Sequence, residues 1–143
     1  MSLSASGARI QGDDYQHLFA WYHALRALNH ADDVTGIAVE AENAGNVDDV
    51  VVRRASGADE HYQVKYSVSA GHPIDQAWWT TPVTKAGKSP LQRFWGSWQT
   101  LRRGGTPPHM ALWTNRPLDV SDPLLALRDG RETCSPIRVH GRA

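Results

Sequence analysis

Residues 47–67 read VDDVVVRRASGADEHYQVKYS, and the fold turns on how the two apolar runs inside this stretch are taken. Both runs are short and rich in β-branched or aromatic residues, and ASGADE separates them as a cluster of turn formers. Two strands joined by so short a connection pair antiparallel. Side chains on a strand alternate between faces with period 2, so Tyr62, Val64 and Tyr66 share one face and Gln63 and Lys65 the other. An amide and an ammonium in an otherwise apolar run need an explanation. An edge strand with one wet face is the plain one. A polar site built on the sheet is the other.

Working upstream, VTGIAVEAE (34–42) is a further strand, with Ile37 and Val39 on one face and Ala38, Glu40 and Glu42 on the other. The turn former Ala-Gly-Asn leads from it into VDDVVVR, so the three strands form an antiparallel meander. Before them, GDDY precedes a helical spacing in which Leu18, Trp21, Tyr22, Leu25 and Leu28 form the apolar stripe. Asp13 or Asp14 caps that helix, and Asn29 with HADD ends it.

Downstream, 68–89 has no clear period and reads as a long ordered loop or irregular insertion holding Trp78 and Trp79. SPLQRFWGSWQTLRRGG is a second helix: Ser89 caps it and Pro90 takes its first position. Leu91, Phe94, Trp95, Trp98 and Leu101 make its apolar face, and Arg102 and Arg103 fill the last turn before Gly104. HMALWT is a fourth strand, and DPLLALRDG a short helix capped by Asp122. RETCSPIRVHGRA carries no closing signal. A strand that follows a helix can pair parallel through a right-handed crossover. The expected architecture is α/β: a mixed sheet, three meander strands plus a crossover strand, flanked by helices.

The chain of 143 residues is one domain long, and 41% apolar content fits a packed core. No apolar run approaches a membrane span, and no charged-then-apolar leader is read. A single cysteine, Cys134, excludes an internal disulfide framework and suits a reducing, cytoplasmic setting. The formal net charge is zero, so binding to nucleic acid would have to rest on local charge.

Several motifs fail on their own chemistry. Gly87-Lys88-Ser89 ends like a phosphate-binding loop, but Pro82 stands where the leading glycine is required and no apolar strand precedes it. The seven histidines and Cys134 match no zinc spacing, and no G-x-S-x-G is present. Trp95, Trp98 and Trp113 read as core, whereas Trp78 and Trp79 could equally stack on bases.

What remains is an ordered series on three consecutive strands: Glu40 or Glu42, then Asp48-Asp49 ahead of three valines, then Gln63-x-Lys65. On neighbouring strands these residues bring acidic oxygens, an amide oxygen and an ammonium to one sheet face. Hard cations such as Mg²⁺ want that oxygen-rich environment. A lysine beside the metal can position water and stabilise a pentavalent phosphate. The series is more specific than any wet strand face.

It resembles the PD-(D/E)XK, restriction-endonuclease-like nucleases, and more narrowly the double-stranded-DNA endonuclease domain of CD-NTase-associated (CBASS) and NTPase-fused anti-phage effectors. Gly12, Tyr15-Gln16, VEAE, VDDVVV, YQVKY and WTNRPLD carry the likeness, over about residues 7–128. The resemblance implies a restriction-endonuclease-like core and metal-dependent hydrolysis of DNA phosphodiesters, with Mg²⁺ or Mn²⁺ as cofactor. It makes Asp49 (or Asp48 in a shifted register) the metal-binding aspartate, and Glu40 (or Glu42) the first-strand acid. Gln63 becomes a neutral oxygen ligand where other members have an acid, and Lys65 the catalytic lysine. The Val64 carbonyl completes the ligand set, and Gln16 reaches the site from the helix. It further implies that residues 1–143 are the N-terminal nuclease portion of a longer protein, oligomeric when a C-terminal region is triggered, with double-stranded DNA as partner. The alternative is a catalytically silent module of the same fold that binds nucleic acid or protein. A third possibility is an ordinary structural domain, in which the acids and Lys65 are dispersed.

Overall fold

Three valines, Val50, Val51 and Val52, are all buried, because the strand they form has neighbours on both edges and is covered on both faces. The computed structural model describes residues 5–28, 33–42, 46–69, 71–102, 106–127 and 137–138. Its strands are β1 (Val34–Val39), β2 (Val50–Arg54), β3 (Glu60–Lys65), β4 (His109–Thr114) and the two-residue β5 (Ile137–Arg138), in spatial order of the sequence. β1, β2 and β3 form the antiparallel meander, β4 lies parallel to β3, and β5 pairs antiparallel with β4. The mixed α/β sheet expected from the sequence is therefore present. β3 sits in its middle, which removes the edge-strand explanation for Gln63 and Lys65.

Helix α1 (Ala5–Leu28) lies on one face, and α2 (Gln76–Thr80) and α3 (Pro90–Leu101) on the other. Alternation along the strands divides the core accordingly. Val50, Val52, Tyr62, Val64 and Ala111 pack with Phe19 and Ala20 of α1. Met110 and Leu112 pack with Trp79, Phe94, Ile74, Val47 and Leu125 on the α3 side.

Two features of α1 correct the sequence reading. The helix begins at Ala5, so Asp13 and Asp14 lie inside it and cap nothing. The stripe expected to be buried is exposed: Leu18, Trp21, Tyr22, Leu25 and Leu28 face outward, and Phe19, Ala20 and His23 face the sheet. The helix is apolar almost all round between Tyr15 and Leu28, so the 3.6-residue period has two solutions. Rings decide between them. Phe19 meets Tyr62 edge-on at 4.8 Å and Trp113 at 4.7 Å, and His23 meets Phe19 at 4.7 Å. A histidine counted as polar hid the i, i+4, i+8 row of Tyr15, Phe19 and His23.

Helix α3 follows its sequence signals. Ser89 and Gln92 form a reciprocal capping box with Pro90 in the first turn. Phe94 is buried and Trp98 and Leu101 are partly so, but Leu91 and Trp95 turn outward; Trp95 stacks on Trp98 at 5.0 Å. The segment read as irregular contains α2, capped by the Asp75 carboxylate accepting from the Trp78 N–H at 2.7 Å. Of the expected third helix, 122–130, the described residues form a 3₁₀ turn, Leu125–Leu127, with Asp122 accepting from the N–H groups of Leu124 and Leu125, and 128–130 lie outside the described residues. Cys134, Arg103 and Gly104 lie outside the described residues.

Candidate metal and phosphate site at the β2–β3 end

Asp49 is the last residue before β2, and the chain around it is pinned from several directions. Its carbonyl accepts from the Glu40 N–H at 3.0 Å and from Gln16 Nε2 of α1 at 3.1 Å. The Asp48 carbonyl accepts from the Ala41 N–H at 2.8 Å. On the other side, Val47 is fully buried under α3, and the Asn46 N–H donates to Ser97 Oγ at 2.9 Å. A side chain at position 49 is thus held on a fixed main chain rather than on a free loop.

The Asp49 carboxylate points across to β3. Its Oδ2 accepts from the Val64 N–H at 2.6 Å and from Gln63 Nε2. Gln63 is 8% exposed and lies in register with Leu112, on the face covered by α3. Lys65 is at the exposed end of the same strand. Burial is the largest influence on Asp49 and raises its pKa above the ordinary aspartate value. The Val64 N–H, the charge of Lys65 and the Gln63 amide oppose that rise, and neighbouring Asp48 adds to it. The site therefore gathers a half-buried, under-compensated carboxylate, a buried amide and a lysine close enough to act on the carboxylate.

Asp49, Gln63, Val64 and Lys65 come together, and Gln16 joins them through the Asp49 carbonyl. Glu40 sits directly opposite Asp49, but at φ 51°, the left-handed region, which costs a non-glycine residue about 1 kcal/mol. The strand ends there, so Glu40 and Glu42 are exposed beyond β1. Among the described residues no three His, Cys, Asp or Glu side chains group as a metal site. Two neutral oxygen donors lie beside the Asp49 carboxylate: the Gln63 amide and the Val64 carbonyl, which projects from the same strand edge as the Val64 N–H.

One contributor escaped the sequence reading, and a second entered it only as part of WTNRPLD, without a role. Ser97, buried on α3, looks like a helix-interior serine, and nothing local links it to Asn46, 51 residues away. Asn115 follows β4 and clasps Ser67 just past Lys65: its Oδ1 accepts from the Ser67 N–H and its Nδ2 donates to the Ser67 carbonyl, both at 2.8 Å. Arg116 then donates to the carbonyls of His72 and Pro73 at 2.8 and 3.1 Å. The Thr-Asn-Arg ending of β4 thereby fixes the chain that leaves the site.

The opposite end of the meander holds a different charge cluster. Arg54 bridges Asp33 at 2.9 Å and Glu60 at 3.1 Å, and the Tyr62 hydroxyl donates to Glu60 at 2.8 Å. Comparison with family models, with curated proteins and with solved structures gives no match for this chain.

Proposed function

We propose that this chain is a metal-dependent endonuclease domain that hydrolyses DNA phosphodiester bonds, with Asp49, Gln63 and Lys65 at its centre. The observation that supports the reading is the meeting of Asp49 with the Gln63-Val64-Lys65 segment of the neighbouring strand. The residues fit a hard cation. Both hydrogen bonds to Asp49 fall on Oδ2, and burial makes its negative charge costly, a cost that a cation relieves. Asp49 would be the anionic ligand, and the Val64 carbonyl and the Gln63 oxygen the neutral ones. Turning the Gln63 amide exchanges its N–H for its oxygen. Such a site carries one negative charge fewer than an Asp–Glu pair. A bound Mg²⁺ or Mn²⁺ supplies Lewis-acid polarisation of a phosphoryl oxygen and a more acidic water.

Lys65 does the work that needs no ion. Its ammonium, at the exposed end of β3, holds a non-bridging phosphate oxygen and stabilises the charge that builds up as the phosphorus is attacked. Gln16, held on α1 by the packing of Phe19 and Ala20, keeps the Asp49 main chain in place. Glu40, whose N–H bonds the Asp49 carbonyl, is exposed at the mouth of the site and is not counted among its ligands. Double-stranded DNA is the substrate this reading favours, in a cytoplasmic anti-phage effector. No helix among the described residues is long and apolar enough to cross a membrane.

The deciding experiment incubates the purified chain with supercoiled plasmid and Mg²⁺ or Mn²⁺, with and without chelator, while Mn²⁺ binding is followed separately by calorimetry. Chelator-sensitive nicking and Mn²⁺ binding that both vanish in Asp49→Asn are the expected result. Mn²⁺ binding without cleavage would leave the silent module as the better reading. Absence of both would overturn the proposal.

A further inference from the structure

The outward face of α1 is the least explained surface of the molecule. Leu18, Trp21, Leu25 and Leu28 are 67%, 66%, 58% and 73% exposed, and Tyr22 beside them is 53% exposed. Their spacing of three, four and three residues is the a/d alternation by which one helix packs along another. A groove of about 220 Å³ continues the stripe toward the sheet, lined by His17, Ala20, Trp21, Ala24, Ile37 and Val39. It opens beside β1, the first strand in the sheet order.

We infer that this face joins two copies of the chain, α1 against α1, across a two-fold axis. Area is the first argument. Fully exposed Leu, Trp and Tyr residues present roughly 200 Å² each, so Leu18, Trp21, Tyr22, Leu25 and Leu28 offer about 600 Å² of surface, approaching the ~800 Å² per partner of a stable interface. It also lies at the top of the range for the largest apolar patch of an ordinary monomer, roughly 300–600 Å². Self-complementarity is the second. In an antiparallel pair centred between Trp21 and Leu25, Leu18 of one copy meets Leu28 of the other and Trp21 meets Leu25, the reciprocal pattern that a two-fold requires. A lipid surface suits the helix less well: α1 sets Arg9 and Arg26 against Asp13 and Asp14, and lacks the basic margin that holds an amphipathic helix on anionic lipid. The dimer does not depend on the nuclease reading, and its test contains no activity assay.

Sedimentation velocity of the whole chain between about 1 and 100 µM is expected to show a species of twice the 15.8 kDa chain mass. The double variant Trp21→Glu/Leu25→Glu is expected to dissociate at least ~30-fold more readily. Both positions are exposed, so unchanged circular dichroism, and a melting temperature equal to that of the parent at concentrations where both are monomers, will show that the fold is intact. Orientation is read by mixing a Leu18→Cys chain with a Leu28→Cys chain, each also Cys134→Ser. A disulfide-linked dimer in the mixture but in neither chain alone supports the antiparallel pair. A monomer at about 100 µM, a dimer that the double variant retains, or open-ended oligomers without a dimer end point would each overturn the inference.

Discussion

The two ends of the meander hold the same chemistry in opposite electrostatic states. At one end, Asp33 is bonded by the Ser56 hydroxyl and by the Arg54 guanidinium, which together lower its pKa to about 2. Arg54 is weakened as a cation by burial, but its bonds to Asp33 and Glu60 outweigh that and raise its pKa. At the other end, burial raises Asp49, whose close partners are an amide and a backbone N–H, with a cation acting only as one of several opposing influences. A carboxylate placed to stabilise the fold is matched by its neighbours. One placed to meet a ligand is left partly unmatched, and the fold bears the cost.

That contrast can be broken most sharply at Lys65. Lys65→Ala should lower plasmid cleavage by on the order of 10²–10³. Its melting temperature should stay close to that of the parent chain, because Lys65 is exposed. Cleavage at the parental rate would detach the lysine from the chemistry.

Arg54→Met comes next and should do the reverse. It removes the Arg54 ion pair from the Glu60 carboxylate, in a residue only 8% exposed, while the Tyr62 hydroxyl stays bonded to it. Urea unfolding at pH 7 should show a loss of about 2–4 kcal/mol. Cleavage per folded molecule should hardly change. Undiminished stability would mean that the cluster is not structural.

A smaller effect, with the opposite sign, is expected from Asp49→Asn. A raised native pKa means that the native state binds the proton more tightly than the unfolded chain, so stability is greatest below the unfolded pKa. It is lost as pH rises through the native one. Removing the charge at pH 7 should therefore stabilise the metal-free fold, by an amount that solvent screening keeps small. Thermal melts of the two proteins side by side would measure it. A destabilised variant would show that the hydrogen bonds from Val64 and Gln63 matter more than the burial of charge.

The smallest effect lies in the pH profile. As pH falls and Asp49 takes up its proton, the melting temperatures of parent and Asp49→Asn should converge. The contribution of Asp33 is complete above its unfolded value of 3.8 and is lost progressively as pH falls from there through about 2. A gap between the two proteins that stays constant down to pH 3 would refute the assignment of burial as the cause.

Much of this was legible in the sequence because it is local. The β-branched run after Asp49, the alternation around Gln63 and Lys65, and the Ser89-Pro90 helix start each follow from neighbours a few residues apart. Pairing of β2 with β3 follows from a short turn. What stayed hidden depends on partners far away. The face of α1 that meets the sheet is chosen by Tyr62 and Trp113, and only tertiary packing makes His23 a core residue. Ser97 gains its meaning from Asn46, and α2 is a helix of one turn that no periodicity could announce. The exposed position of Glu40 follows from one left-handed residue at the end of β1, which alternation cannot foresee.

The parallel junction of β3 with β4 bears on how the chain reaches this state. β1, β2 and β3 meet through short turns, whereas β4 returns to β3 only after residues 66–108 have been spanned. Closing so long a segment carries an entropy cost before any strand contact rewards it. The hairpin that joins Asp49 to Gln63 has no such delay. The Asn115–Ser67 clasp beyond Lys65 exists only when β4 is docked, so hydrogen exchange should report two grades of protection along β3: the hairpin amides open with the meander, and the amide of Ser67 opens whenever β4 leaves.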